Sequence, residues 1–131
     1  MPKIRINDEL EINYEEMGSG RPIVFVHGVW MSGRYFHKQL PALGQNHHSI
    51  ALDLRGHGQS SHTEDGHTMA TYAEDLHAFL KIKGLSGVVL AGWSMGCMVL
   101  WDYFKKFGDE NVAAAIFVDQ SPSDFKWPDW D

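Results

Sequence analysis

A single cysteine, Cys97, is the whole thiol inventory of this 131-residue sequence. No disulfide can form within it, so stability has to come from a packed interior, and the usage fits a reducing, cytoplasmic location. Long apolar runs are also missing. None approaches the roughly 20 residues that a membrane-spanning helix needs, and the opening Met1-Pro2-Lys3-Ile4-Arg5 lacks the pattern of a secretory signal. Positive charge is scarce: Lys and Arg total 11 against 17 Asp and Glu, and the formal charge of −6 speaks against nucleic acid or an anionic membrane surface as partner. The 8 histidines include no His-Glu-x-x-His pair and no Cys/His cluster, so neither a metal nor another cofactor is expected. Internal repeats and low-complexity segments are absent too.

What is present is enough for one domain, burying roughly two thirds of the surface that the unfolded chain exposes. Residues 3–7 and 10–17 alternate apolar and polar side chains around Asn7-Asp8-Glu9, which predicts an antiparallel hairpin at a sheet edge. Ile23-Val24-Phe25-Val26 is a continuous apolar run, the mark of a strand covered on both faces. Ser32 is a candidate N-cap for a first helix that Pro41 shortens or distorts. His47-His48 falls in the return loop and is expected to face water. Residues 49–52 form a second buried strand, ending at Asp53. A polar loop then runs to about Gly66, and residues 68–83 follow a helical period with Gly84 as the stop. The charges of that helix are expected on a solvated face. Val88-Val89-Leu90-Ala91 predicts another strand and residues 97–107 another helix. Residues 113–118 predict a last strand ending at Asp119. Strands that alternate with helices in this way predict a parallel sheet covered by helices on both faces, with ligands at the carboxyl ends of the strands.

Three loops begin at those ends. The most informative is Gly92-Trp93-Ser94-Met95-Gly96, between an apolar strand and an amphipathic helix. That is the context of a Gly-x-Ser-x-Gly nucleophile elbow. A serine on so tight a turn has strained dihedrals, and side chains two residues to either side would strike crossing backbone. The turn lifts the hydroxyl clear of the sheet and sets it beside the free N–H groups and positive dipole end of the helix. The other two loops are His27-Gly28-Val29-Trp30 and the glycine-bearing segment from Asp53 to Ser60.

With these three motifs in this order, the sequence resembles the alpha/beta-hydrolase superfamily, near its esterase, cofactor-free haloperoxidase and lactone or epoxide hydrolase branch. The resemblance covers the whole sequence but only the first half of the family's domain. It implies a three-layer α/β fold: an about six-stranded, mostly parallel sheet with an antiparallel amino-terminal hairpin and helices on both faces. Residues 1–121 would form a truncated core, and residues 122–131 a tail at the usual lid insertion point.

The resemblance also implies roles. Ser94 would be the nucleophile, the backbone N–H groups of Val29 and Met95 the oxyanion hole, and Trp30 and Trp93 pocket walls. Two converging donors suit a tetrahedral intermediate, and losing one typically costs about 10²–10³ in rate. His27 would brace its loop through ring hydrogen bonds, Asp53, Arg55 and His57 would serve as loop scaffolding, and Cys97 would be a small buried residue. The family's usual acid and histidine follow later strands, so Ser94 would need a base from another chain; Asp119 is an alternative acid. Two functional classes therefore stand. One is a serine-hydrolase half-domain acting on a small ester, thioester or lactone. The other is a non-catalytic fragment that self-associates or binds a small molecule. In either class the last-strand edge is expected to pair with a second copy or with a complementing carboxyl-terminal half.

Overall fold

A computed structural model describes residues 2–118 of the chain. Six strands form one sheet in the order β1-β2-β4-β3-β5-β6. Strand β1 (Lys3–Arg5) lies antiparallel to β2 (Glu11–Met17), which is itself antiparallel to β4 (His48–Leu52). From there on the sheet is parallel: β4 beside β3 (Pro22–Val26), β3 beside β5 (Val88–Trp93), and β5 beside β6 (Val112–Val118). The expected α/β architecture and edge hairpin are both there.

The central strands are apolar on both sides because both sides are covered. Val24, Val26, Ile50, Leu52 and Leu90 point into one core together with residues of two long helices, α2 (Met69–Lys83) and α3 (Met95–Phe107). Ile23, Phe25, Ala51 and Ala91 point the other way, against Phe36 and Leu40. Fully burying a Leu, Ile, Val or Phe side chain stabilises by roughly 1.5–3 kcal/mol, so the larger first cluster dominates. Helix α2 begins at Thr68, whose hydroxyl accepts the Thr71 N–H, and ends at Gly84 in the left-handed region, φ 71°. The segment with Pro41 splits into a 3-10 turn, Gly33–Phe36, capped by Ser32, and a short helix α1, Gln39–Leu43. Pro41 sits in the first turn of α1, where its missing N–H has no helical partner to lose.

Two expectations about charge need correcting. His48 does not lie in a loop: it opens β4, and its Nε2 lies 2.6 Å from a Glu16 carboxylate oxygen that Lys83 also approaches. The antiparallel β2–β4 register brings Glu16 there, which sequence position alone does not reveal. Nor is the charge on α2 all solvated. Asp75 is buried and accepts two bonds from the Arg55 guanidinium, 2.9 and 3.0 Å long. A buried carboxylate with this bidentate partner ties the loop after β4 to the inner face of α2. The expected tail at 122–131 lies outside the described residues. Among those described, no helix is long and apolar enough to cross a membrane.

Candidate active site

Helix α3 reaches the sheet so closely that its first turn has no room for side chains. A β-carbon on Gly96 would sit 2.1 Å from the Val26 carbonyl oxygen, and one on Gly92 would sit 2.8 Å from the Gly96 carbonyl. Both contacts are to backbone, which cannot swing aside. Between these glycines the chain turns from strand to helix in one residue, Ser94, at φ 54°, ψ −120°. A non-glycine residue there stores roughly 1–3 kcal/mol of strain. The turn is held by the Ser94 N–H donating to the Val118 carbonyl and the Cys97 N–H donating to the Ser94 carbonyl.

The His-Gly loop after β3 lies directly against this turn. A β-carbon on Gly28 would be 3.2 Å from the Ser94 β-carbon and 3.0 Å from the Trp93 ring. Val29 and Met95 line one and the same cavity of about 480 Å³. Among the described residues neither of their N–H groups has an acceptor, and the Ser94 hydroxyl has no hydrogen-bond partner. Trp30 stands at the cavity rim, 91% exposed and also at positive φ, 62°. Trp93 does not line this cavity. It stacks on Tyr35 at 4.5 Å and borders a separate groove beside Ile116 and Val118.

The far wall comes from residues that periodicity assigned to a helix core and an open loop: His57, His62, Thr63, His67, Met69 and Tyr72. Their convergence comes from the Arg55–Asp75 pair, which folds the loop of residues 53–68 back onto α2; no motif marks it in the sequence. Among the described residues no three His, Cys, Asp or Glu side chains converge as a metal site would require. Asp119, the alternative acid, lies outside the described residues.

Behind the cavity the loops are fixed by buried polar groups. His27 is fully buried; its Nε2 accepts the Leu54 N–H at 2.9 Å, so its Nδ1 carries the proton and donates to the Gly28 carbonyl at 2.7 Å. Burial pushes the imidazole down from 6.5 to about 4, against the opposing bond to Gly28 and helped by neighbouring His57. Asp53 is likewise buried, and its carboxylate accepts from the Gly33 and Gln59 N–H groups and the Asn13 amide. Ser60 donates to the Asp53 carbonyl and accepts from the Asn13 N–H. Each loop is therefore braced by side chains of another, and Cys97 is a small buried residue of α3.

Comparison with known proteins follows this geometry. The family model described as alpha/beta hydrolase fold matches residues 21–131. A non-heme haloperoxidase of Rhodococcus erythropolis is 39% identical over 93% of this chain and 45% of its own length. The non-heme chloroperoxidase CPO-A1 of Kitasatospora aureofaciens is 36% identical, with the same two coverages. The crystal structure of a bromoperoxidase from Bacillus anthracis superposes with a TM-score of 0.84 and 36% identity over 88% of this chain and 43% of that one. An esterase from Exiguobacterium antarcticum superposes with a TM-score of 0.86 and 30% identity, covering 90% and 44%. The chain thus spans about half the length of the curated relatives it matches.

Two outcomes follow from the packing and the buried imidazole. Gly96→Ala forces backbone apart between α3 and β3, and a loss of stability of more than about 3 kcal/mol is expected, read as a fall in the urea midpoint. For His27 the sign is set by a folded value below the unfolded one. Between pH 6.5 and about 4 the unfolded chain takes up a proton that the folded chain refuses. His27 therefore withdraws up to roughly 3 kcal/mol of stability as pH falls through that window and has no effect above it. In an NMR titration the His27 ring signals should hold still from pH 7 to 5; a midpoint near 6.5 would contradict the burial argument.

Proposed function

The chain belongs to the alpha/beta-hydrolase fold family, and on that premise we propose that it carries the nucleophile half of a serine-hydrolase site acting on a small ester, thioester or lactone. One observation carries the reading. Ser94, strained at the start of α3, stands against Gly28, and the unengaged Val29 and Met95 N–H groups line the same cavity. A strained serine whose hydroxyl has no hydrogen-bond partner among the described residues, near two donors likewise unpaired there, suits attack on an acyl group.

In this reading Ser94 Oγ bonds to the acyl carbon while its proton passes to a general base. The carbonyl electron pair moves onto oxygen, where Val29 and Met95 N–H groups stabilise it. Collapse breaks the bond to the alcohol, thiol or ring oxygen, which takes the proton, and water then releases the acid by the same steps. Trp30 covers the apolar side of the bound acyl compound. The base would be supplied by a complementing carboxyl-terminal half or by a second copy, with Asp119 as the alternative acid. The name esterase borne by a structural relative agrees with chemistry at an acyl carbon. A fluorophosphonate probe should add one phosphonyl mass to Ser94 and none to the Ser94→Ala chain. No labelling with or without a partner chain sinks the catalytic reading.

A second reading, a self-associating or ligand-holding chain without turnover, is favoured by β6. Among the described residues this strand pairs on one side only, and Ile116 and Val118 are 49% and 45% exposed. An apolar edge of that kind is a template for another strand. Light scattering at micromolar concentration should give at least a dimer mass; a monomer mass argues against pairing through β6.

A further inference from the structure

The cavity beside Val29 and Met95 is also lined by His57, one of whose ring nitrogens has no partner among the described residues. His57 Nδ1 lies 2.9 Å from the Arg55 carbonyl oxygen. A carbonyl can only accept, so Nδ1 holds the proton, and in the neutral ring Nε2 is left as a lone-pair acceptor. The bond to Arg55 sets the orientation of the ring. It packs between His27, with centroids 4.9 Å apart, and Tyr72, 6.1 Å away. Nε2 has no hydrogen-bond partner among the described residues and is not one of the buried unpaired atoms, so it is open on the side where His57 lines the cavity.

All of the neighbouring polar side chains but one ring nitrogen of the exposed His62 are engaged elsewhere. His67 Nε2 donates to the Thr63 carbonyl, its Nδ1 is left to accept from the Tyr72 hydroxyl at 3.3 Å, and the Thr63 hydroxyl donates to the Asp65 carbonyl. His62 approaches the Gly58 carbonyl from the exposed rim. The rest of the wall is Val29, Trp30, Met69 and Met95. The cavity therefore combines the Val29 and Met95 backbone, an acceptor on the His57 ring, and apolar surface.

We infer that His57 is a substrate-positioning residue, and that the site takes acyl compounds with an apolar body and a hydroxyl or amide N–H donor apart from the acyl oxygen. The inference rests on the acyl-transfer reading for the orientation of the ligand only. A substrate without such a donor leaves Nε2 dry and unpaired, and a hydrogen bond of this kind is a difference of about 3- to 10-fold in affinity.

The test uses the full chain carrying Ser94→Ala, so that nothing turns over, titrated with methyl mandelate and with its O-methyl ether. The two differ in one donor. The hydroxy ester should bind about 3- to 10-fold tighter, and only it should shift the His57 Nε2 resonance in imidazole NMR spectra. His57→Asn retains an N–H for the Arg55 carbonyl but deletes the Nε2 acceptor, and should bring the two affinities together. His57→Gln places an amide oxygen near the lost Nε2 and should retain part of the preference. Equal affinities in the His57 chain, a preference that survives His57→Asn, or no binding of either ester overturns the inference. Failure of fluorophosphonate labelling, with the preference intact, strikes the acyl-transfer reading and leaves this one standing.

Discussion

The contact on which the rest of the site depends is the approach of helix α3 to the end of strand β3, where Gly96 passes under the Val26 and His27 carbonyls. A β-carbon there would meet the Val26 oxygen at 2.1 Å and the His27 oxygen at 3.0 Å. With the helix this close, the link from β5 to α3 shrinks to a single residue, and Ser94 is forced to positive φ. Its strain is held by surroundings that over-determine it: parallel pairing of β5 with both neighbours, and the amide bond to Val118. The same closeness sets Met95, first residue of the helix, beside Val29 on one cavity. Steric exclusion at a glycine thus determines where Ser94 and the Val29 and Met95 N–H groups stand.

Around that contact the loops are fixed by buried polar groups that pair across them. His27 joins the loop after β3 to Leu54 after β4, and Asp53 joins strand β2, the turn at Gly33 and its own loop. A buried hydrogen bond left unmade costs about 1–3 kcal/mol, so these braces are specific: each allows few alternative loop positions. The Arg55–Asp75 pair extends the same logic to α2 and turns a polar loop into a cavity wall. The pairing is not complete: Asn13 Oδ1 is buried without a partner among the described residues. His57 braces with one ring nitrogen and leaves the other open.

Much of this was legible in order along the chain. Apolar runs such as Ile23 to Val26 report a strand covered on both faces, Thr68 and Gly84 mark the ends of α2, and the glycines around Ser94 mark the elbow. These signals are local: they depend on period, capping and backbone sterics within a few residues. His48 and Asp75 were misjudged for the converse reason. Their partners Glu16 and Arg55 are 32 and 20 residues away in sequence, and only the β2–β4 register and the packing of α2 bring them together. Trp93 was expected beside Trp30, yet strand alternation directs it to the Tyr35 side of the sheet.

The sequence by itself determined the family, the α/β order of elements and the tight turn at Ser94, because each is written in short-range pattern and in glycines that only close approach requires. Tertiary structure alone decided which loop forms the opposite wall, which tryptophan reaches the cavity, and which histidine nitrogen stays free. Those outcomes turn on long-range pairing, where one buried ion pair or one carbonyl acceptor selects among side chains that composition treats as equal.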